Sequence, residues 1–162
     1  MKIHKVKSKK NAITIKYDVT NGQTGDPDEF SFTCHDRALP AFYEEFVRLA
    51  PQVCDICEFP DDYEANLTVV GVSFSYTETK DGEVMGAVIT ALKKVDGANS
   101  PLVINTPYLP SQSMSDSKSA SMSDGKVLPD DCIRVLEDLQ VEAERYIQGK
   151  RAQTEMFTEA AA

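Results

Sequence analysis

The residues in this chain that are able to do covalent or metal chemistry are few and poorly grouped. Among 162 residues there are four cysteines and two histidines. Cys54-Asp55-Ile56-Cys57 has the spacing of half a zinc site, which needs a second pair of soft ligands. Only Cys34-His35 or Cys132 is left to supply one. The cysteine pair also falls inside a helical pattern, so the four thiols are expected to be structural and reduced, with no metal and no cofactor. Cys34 and His35 are neighbours on an expected strand. Side chains alternate faces there, so the two cannot form a nucleophile–base pair directly. Asp61, Asp62 and Glu64 form a carboxylate cluster after a helix, but no distant acids point to a two-metal site. There is no glycine-rich phosphate loop, no His-Glu-x-x-His and no Gly-x-Ser-x-Gly. The expectation is a protein that is not an enzyme.

Binding chemistry has more to work with. The chain carries 17 basic and 26 acidic residues, a net charge of -9. That excess argues against DNA binding by the whole surface, which needs cations to neutralise phosphates. The distribution is uneven, however. Lys2, Lys5, Lys7, Lys9, Lys10 and Lys16 all precede the first acid, Asp18. They mark a basic strand pair on an acidic body, a candidate contact for single- or double-stranded DNA, with Tyr17 and His4 as candidate stacking partners. The alternative reading is that lysines on an edge strand block edge-to-edge pairing. The acids of the body also admit a DNA-mimic reading, in which the protein would inhibit a host nuclease or defence protein. No run approaches the roughly 18 apolar residues of a membrane span, and no apolar stretch follows the basic N-terminus as in a secretory signal. A soluble protein of the cytoplasm, with no membrane partner, is expected.

The tail after Gly149 holds the one motif with a nameable partner. Met156 and Phe157 stand together in a polar terminal segment, where large apolar side chains ask for a partner. Gln153-Thr154-Glu155-Met156-Phe157 resembles the short peptide by which bacterial replication and repair proteins bind the DNA polymerase sliding clamp. The resemblance implies that Gln153 hydrogen-bonds at the rim of the clamp's groove. Met156 and Phe157 would fill its apolar pocket, and Thr154 and Glu155 would span between them. Leu is commoner than Met at the fourth position. Lys150 and Arg151 would add attraction to an acidic flank. The competing expectation is that Met156 and Phe157 fold back onto the domain and extend the last helix.

The body is similar, more loosely, to small uncharacterised proteins of phages and prophages. The likeness rests on Cys57-Glu58-Phe59-Pro60-Asp61-Asp62-Tyr63, Gly71-Val72-Ser73-Phe74-Ser75-Tyr76 and Asn105-Thr106-Pro107, followed by a terminal helix and an Arg-Ala-Gln tail. It covers residues from about 55 to 157 and implies a setting among replication and recombination genes rather than an activity.

The elements that must carry these residues follow from periodicity. Lys2–Lys7 and Ile13–Val19 alternate, with Ile13, Ile15, Tyr17 and Val19 on one face. Ser8–Asn11 is the turn between them, and Asn21–Pro27 is a second turn signal. Phe30, Phe32 and Cys34 share the inner face of a third strand. Leu39, Phe42, Phe46, Leu49, Val53 and Ile56 then step by three and four, the stripe of a helix over 38–58. Asp36 is the expected cap, and Pro51 should kink or restart the helix. Cys57 is expected close to the stripe and Cys54 nearer its rim. Leu67–Tyr76 and Val84–Val95 are the strongest strands, joined by a polar loop, Thr77–Glu83, with an Asp-Gly signal. The second has two apolar faces, so either Val84, Gly86, Val88, Thr90 and Leu92 or Met85, Ala87, Ile89 and Ala91 face the core. Residues 101–104 suggest a short edge strand. The Ser-rich stretch 106–127 reads as a mobile loop, and a second helix covers 129–148 with Gly149 as its cap. The expected fold is a single α+β domain over 1–149, a mostly antiparallel sheet of five or six strands packed against two helices, with a flexible tail over 150–162.

Overall fold

The computed structural model describes residues 1–113 and 125–152. Alternating residues build an N-terminal meander of β1 (Lys2–Lys9), β2 (Ala12–Thr20) and β3 (Pro27–Cys34). The β2–β3 turn is held by the Asn21 side chain, whose oxygen accepts from the Gln23 and Thr24 amides at 2.8 and 3.2 Å. This local bonding is why Asn favours turns. Helix α1 (Pro40–Cys57) follows, then a short 3-10 helix (Asp61–Asn66). Strands β4 (Leu67–Thr79) and β5 (Gly82–Lys93) form a long hairpin. Two short strands, β6 (Leu102–Asn105) and β7 (Leu109–Pro110), both pair with β5, and α2 (Asp130–Ile147) ends the domain.

The seven strands make one antiparallel sheet in the order β3-β2-β1-β4-β5-β6, with β7 also on β5. The architecture is α+β. Both helices lie on one face, where Leu49, Val53, Leu136, Leu139 and Ala143 meet Val6, Ile15, Val72 and Ile89 in one core. Each large aliphatic side chain buried there contributes about 1.5–3 kcal/mol. The meander joins the β4–β5 hairpin through a narrow seam. Strand β1 pairs with β4 only at Lys5–Ser73, Val6–Val72 and Lys7–Gly71.

The structure decides one open alternative and corrects several local expectations. The core face of β5 is the Met85, Ala87, Ile89 and Ala91 set, because these pair with Tyr76, Phe74, Val72 and Val69 beneath the helices. Val84 and Gly86 are also buried, on the other face. A Cβ on Gly86 would lie 2.2 Å from the Tyr108 hydroxyl, so the tyrosine ring covers that glycine. The expected loop over 77–83 is a two-residue turn, Lys80–Asp81, and Gly82 at φ 115° opens β5. Phe30 and Val19 lie beyond the helices and are exposed, Phe30 stacking on Tyr17 at 5.2 Å instead of entering the core.

Asp36 does not cap α1. Leu39 is the cap residue and makes no side-chain bond, while Asp36 pairs with Arg151 at 2.6 Å. Helix α1 runs from Pro40 to Cys57 without stopping at Pro51. Cys54 is buried and Cys57 only half-buried, the reverse of the expected order. The loop expected over 106–127 is structured at both ends. Thr106 is buried, its hydroxyl accepting from the Ile89 amide at 2.9 Å, and the Leu128 amide donates to the Pro110 carbonyl at 2.9 Å. The remainder of that stretch, 114–124, lies outside the described residues.

Candidate functional site

The lysines are placed by strand alternation. Val6 and Ile15 face each other across β1–β2 and are fully buried toward the helices. Their neighbours Lys5, Lys7 and Lys16 therefore point to the bare face of the sheet, with Lys5 directly opposite Lys16. Lys9 continues this row, and Lys10 stands in the turn. The charges sense one another: Lys9, burial and Lys5 together push the Lys7 ammonium below its usual range. Bound phosphate would relieve that repulsion. Beside them Thr14 and Thr33 bond through their hydroxyls at 3.0 Å.

Lys2 is not part of this group. The register shifts between Ile3 and Lys5, and the Lys2 ammonium pairs with Glu83 at 2.5 Å and sits 4.9 Å from the Tyr76 ring centre. Its hydrogen bond to Glu83 raises its pKa. His4 bonds Asp18 at 2.5 Å and lies edge-on to Tyr76. Tyr17 follows Lys16 directly and so faces the helix side, where it stacks on Phe30. The expected stacking role for Tyr17 beside the lysines is thereby overturned by the period of two. The structure brings together Lys5, Lys7, Lys9 and Lys16 on the bare face of β1 and β2, with Lys10 in the turn between them, without that aromatic platform; both strands are interior to the sheet, so the lysines do not guard an edge.

The second site is where the chain leaves the body. Helix α2 stops at Ile147 because Gly149 adopts φ 91°, a conformation that costs a residue with a side chain. The Lys150 amide reaches back to Arg145 at 3.0 Å and the Gly149 amide to Tyr146 at 3.1 Å, a Schellman stop. The chain then turns along the segment before α1. Arg151 bridges Ala38 in antiparallel sense, and the Ala152 amide donates to the Arg37 carbonyl at 2.9 Å. The Arg151 guanidinium lies 4.7 Å from the Tyr146 ring centre and 5.6 Å from that of Phe32, while holding Asp36. Arg151 is thus committed to the body and not spare for a partner. Lys150, Arg151 and Ala152, expected as part of a free tail, are bonded to the body. Gln153, Thr154, Glu155, Met156 and Phe157 lie outside the described residues.

Sequence reasoning missed a groove of about 1610 Å³ that opens where β1 and β4 part below Lys7 and Gly71. No described strand pairs with the β1-facing edge of Leu67–Val70. Its lining is mixed in charge, with Lys7, Lys9 and Lys10 as well as Asp61 and Glu64, and includes Phe46, Val47 and Ala50 of α1. The signal was non-local, since only the end of a strand pairing creates the gap.

The remaining candidates do not converge. Cys132 is fully buried in the α2 core, and burial pushes its thiol up to about 12. Burial raises Cys54 and Cys57 as well, with the ammonium of Lys126 partly opposing it at Cys57. His35 meets the Asn11 carbonyl through Nδ1 at 2.8 Å. Among the described residues no group of three or more His, Cys, Asp or Glu side chains could hold a metal ion, and no helix is long and apolar enough to cross a membrane. Comparison with protein-family models, with curated proteins and with solved structures finds no match to this chain.

Proposed function

We propose that this protein is a non-enzymatic accessory factor of phage or prophage DNA replication or recombination that docks on the host DNA polymerase sliding clamp through Gln153–Phe157. One observation carries the reading. Gln153 directly follows Ala152, which is hydrogen-bonded to the body, after a glycine stop has already turned the chain out of α2 into extended backbone. An extended start is what a peptide anchored by two large side chains in a preformed groove requires. The lysine row supplies a weak, salt-sensitive hold on nearby DNA, as a clamp-bound factor would meet it.

The test is a titration of the full chain with a bacterial sliding clamp. Binding with a Kd on the order of micromolar, abolished by Phe157→Ala, supports the reading. Binding that survives Phe157→Ala, or none at all, removes it. Gel shifts of single-stranded and duplex DNA at low salt test the lysines separately.

A further inference from the structure

The bare face of the sheet carries an aromatic ring that the lysine strands do not supply. Strand β7 pairs with β5 at Gly86–Pro110 and Ala87–Leu109. Leu109 enters the core, so alternation turns its neighbour Tyr108 to the bare side. The Tyr108 ring lies over Gly86, where a Cβ would come within 2.2–2.4 Å of its hydroxyl, Cζ and Cε2 atoms. A glycine inside a strand weakens it, and here its missing side chain makes the seat for a ring. Tyr108 is nevertheless 41% exposed. The ring is thus held against the sheet and open to solvent above.

The registers bring this ring level with the lysines. Lys16 pairs with Lys5, Lys5 with Ser73, and Ser73 with Val88, one row across four strands. Gly86 is the next bare-face position along β5 and pairs with Ser75. From the lysines of β1 to β5 is two strand spacings, about 10 Å. Between them β4 presents Gly71, Ser73 and Ser75, so no long side chain separates the ammonium groups from the ring. Two carboxylates share the face, Asp18 and Glu29, which pair with each other beyond Lys16. Asp18 is already bonded to His4 at 2.5 Å. The row from Lys16 to Val88 contains none.

A row of cations beside an aromatic ring with one free face suits a single nucleic-acid strand, whose phosphates meet the ammonium groups while an unstacked base covers the ring. A duplex keeps its base faces stacked inside, so it could use the lysines only. We infer that the bare face is a site for single-stranded DNA, in which Lys5, Lys7 and Lys16 hold phosphates and Tyr108 stacks a base. The inference rests on the reading of the lysine row as a DNA contact and is independent of the clamp.

The experiment titrates the full chain into a fluorescent oligothymidine of about 16 nucleotides and into a duplex of the same length, over a range of salt. The single strand should bind at least about tenfold tighter. Tyr108→Ala should lose about tenfold of that affinity and Tyr108→Phe should keep it. Lys5→Ala should make the slope of log affinity against log salt shallower by about 0.7. A thermal melt checks that Tyr108→Ala folds. The chain has no tryptophan, so Tyr108→Trp provides a single reporter that reads the ring directly. Its emission should be quenched as oligothymidine binds. Equal affinity for the duplex, or unchanged emission from a Tyr108→Trp protein that binds, overturns the inference and leaves the lysines as a phosphate contact. Tighter binding of oligouridine than of oligothymidine overturns the choice of DNA. Failure to bind either form of DNA removes this inference together with the DNA reading of the lysines.

Discussion

The two faces of the sheet are built from alternate residues of the same strands, yet one is fixed by packing and the other is open to charge. Under the helices Val6, Ile15, Val72 and Ile89 are at most 1% exposed and interlock with α1 and α2. On the bare face the intervening positions are Lys5, Lys7, Lys16 and Ser73, none of them fully buried. A residue that folding does not need can hold a charge that folding would otherwise forbid, and the lysine row occupies such positions. The contrast weakens at one end of β5, where Tyr108 covers Gly86 and makes a second, smaller contact on the bare side.

Substitutions can break or sharpen this contrast. The largest effect is expected under the helices. Leu139→Ala, at a fully buried position of α2, should cost about 2–5 kcal/mol in urea unfolding. A cost under 1 kcal/mol would mean that the helix layer packs loosely. Next comes Gly86→Ala, whose new methyl collides with the Tyr108 ring and should cost about 1–3 kcal/mol. Adding Tyr108→Ala should recover much of that cost, because the collision partner is gone. If the double variant is no better than the single one, the bare face is not packed at this point. Lys7→Ala should move stability by no more than about 0.5 kcal/mol, while reducing any DNA shift seen at low salt. A large stability loss there would make the lysine row structural.

The smallest effect tests the helix layer itself. Burial raises the Glu45 carboxyl above its usual value of 4.5, aided by the charges of Asp138 and Glu142 and opposed by Arg48. A raised native pKa means that the folded state binds the proton more tightly, so stability is lost as pH rises through the carboxylate range. Glu45→Gln should therefore unfold at slightly higher urea than the parent near neutral pH, with the gap closing below about pH 4. A parent that gains stability relative to Glu45→Gln on going from acid to neutral pH would reverse the sign and show that the 3.0 Å pair with Arg48 dominates.

The periodic runs made most of the secondary structure legible. The alternation around Ile13 and Ile15 and the stripe from Phe42 to Ile56 translated directly into buried positions. What could not be read was the extent of cover. Period alone assigns Phe30 to the same face as Phe32, yet only Phe32 reaches Tyr146 under the helices. The two apolar faces of β5 could not be ranked, because Tyr108 arrives from more than twenty residues away. Asp36 looked like a cap because its partner, Arg151, is 115 residues distant in sequence. At the candidate site, the lysines and Gly149 were visible as residues. The groove was not, since it exists only where one strand pairing ends.

That ending has a kinetic meaning. Strands β1 to β3 and the β4–β5 hairpin are each closed by short turns, so each can zip locally, and three residue pairs at Lys5–Lys7 join them across β3 and α1. The expected slow step of assembly is the closing of that seam, because it spans the long connection whose closure entropy must be met before the few seam contacts reward it; a folding rate slowed by Val6→Ala no more than by substitutions within the β4–β5 hairpin would contradict this.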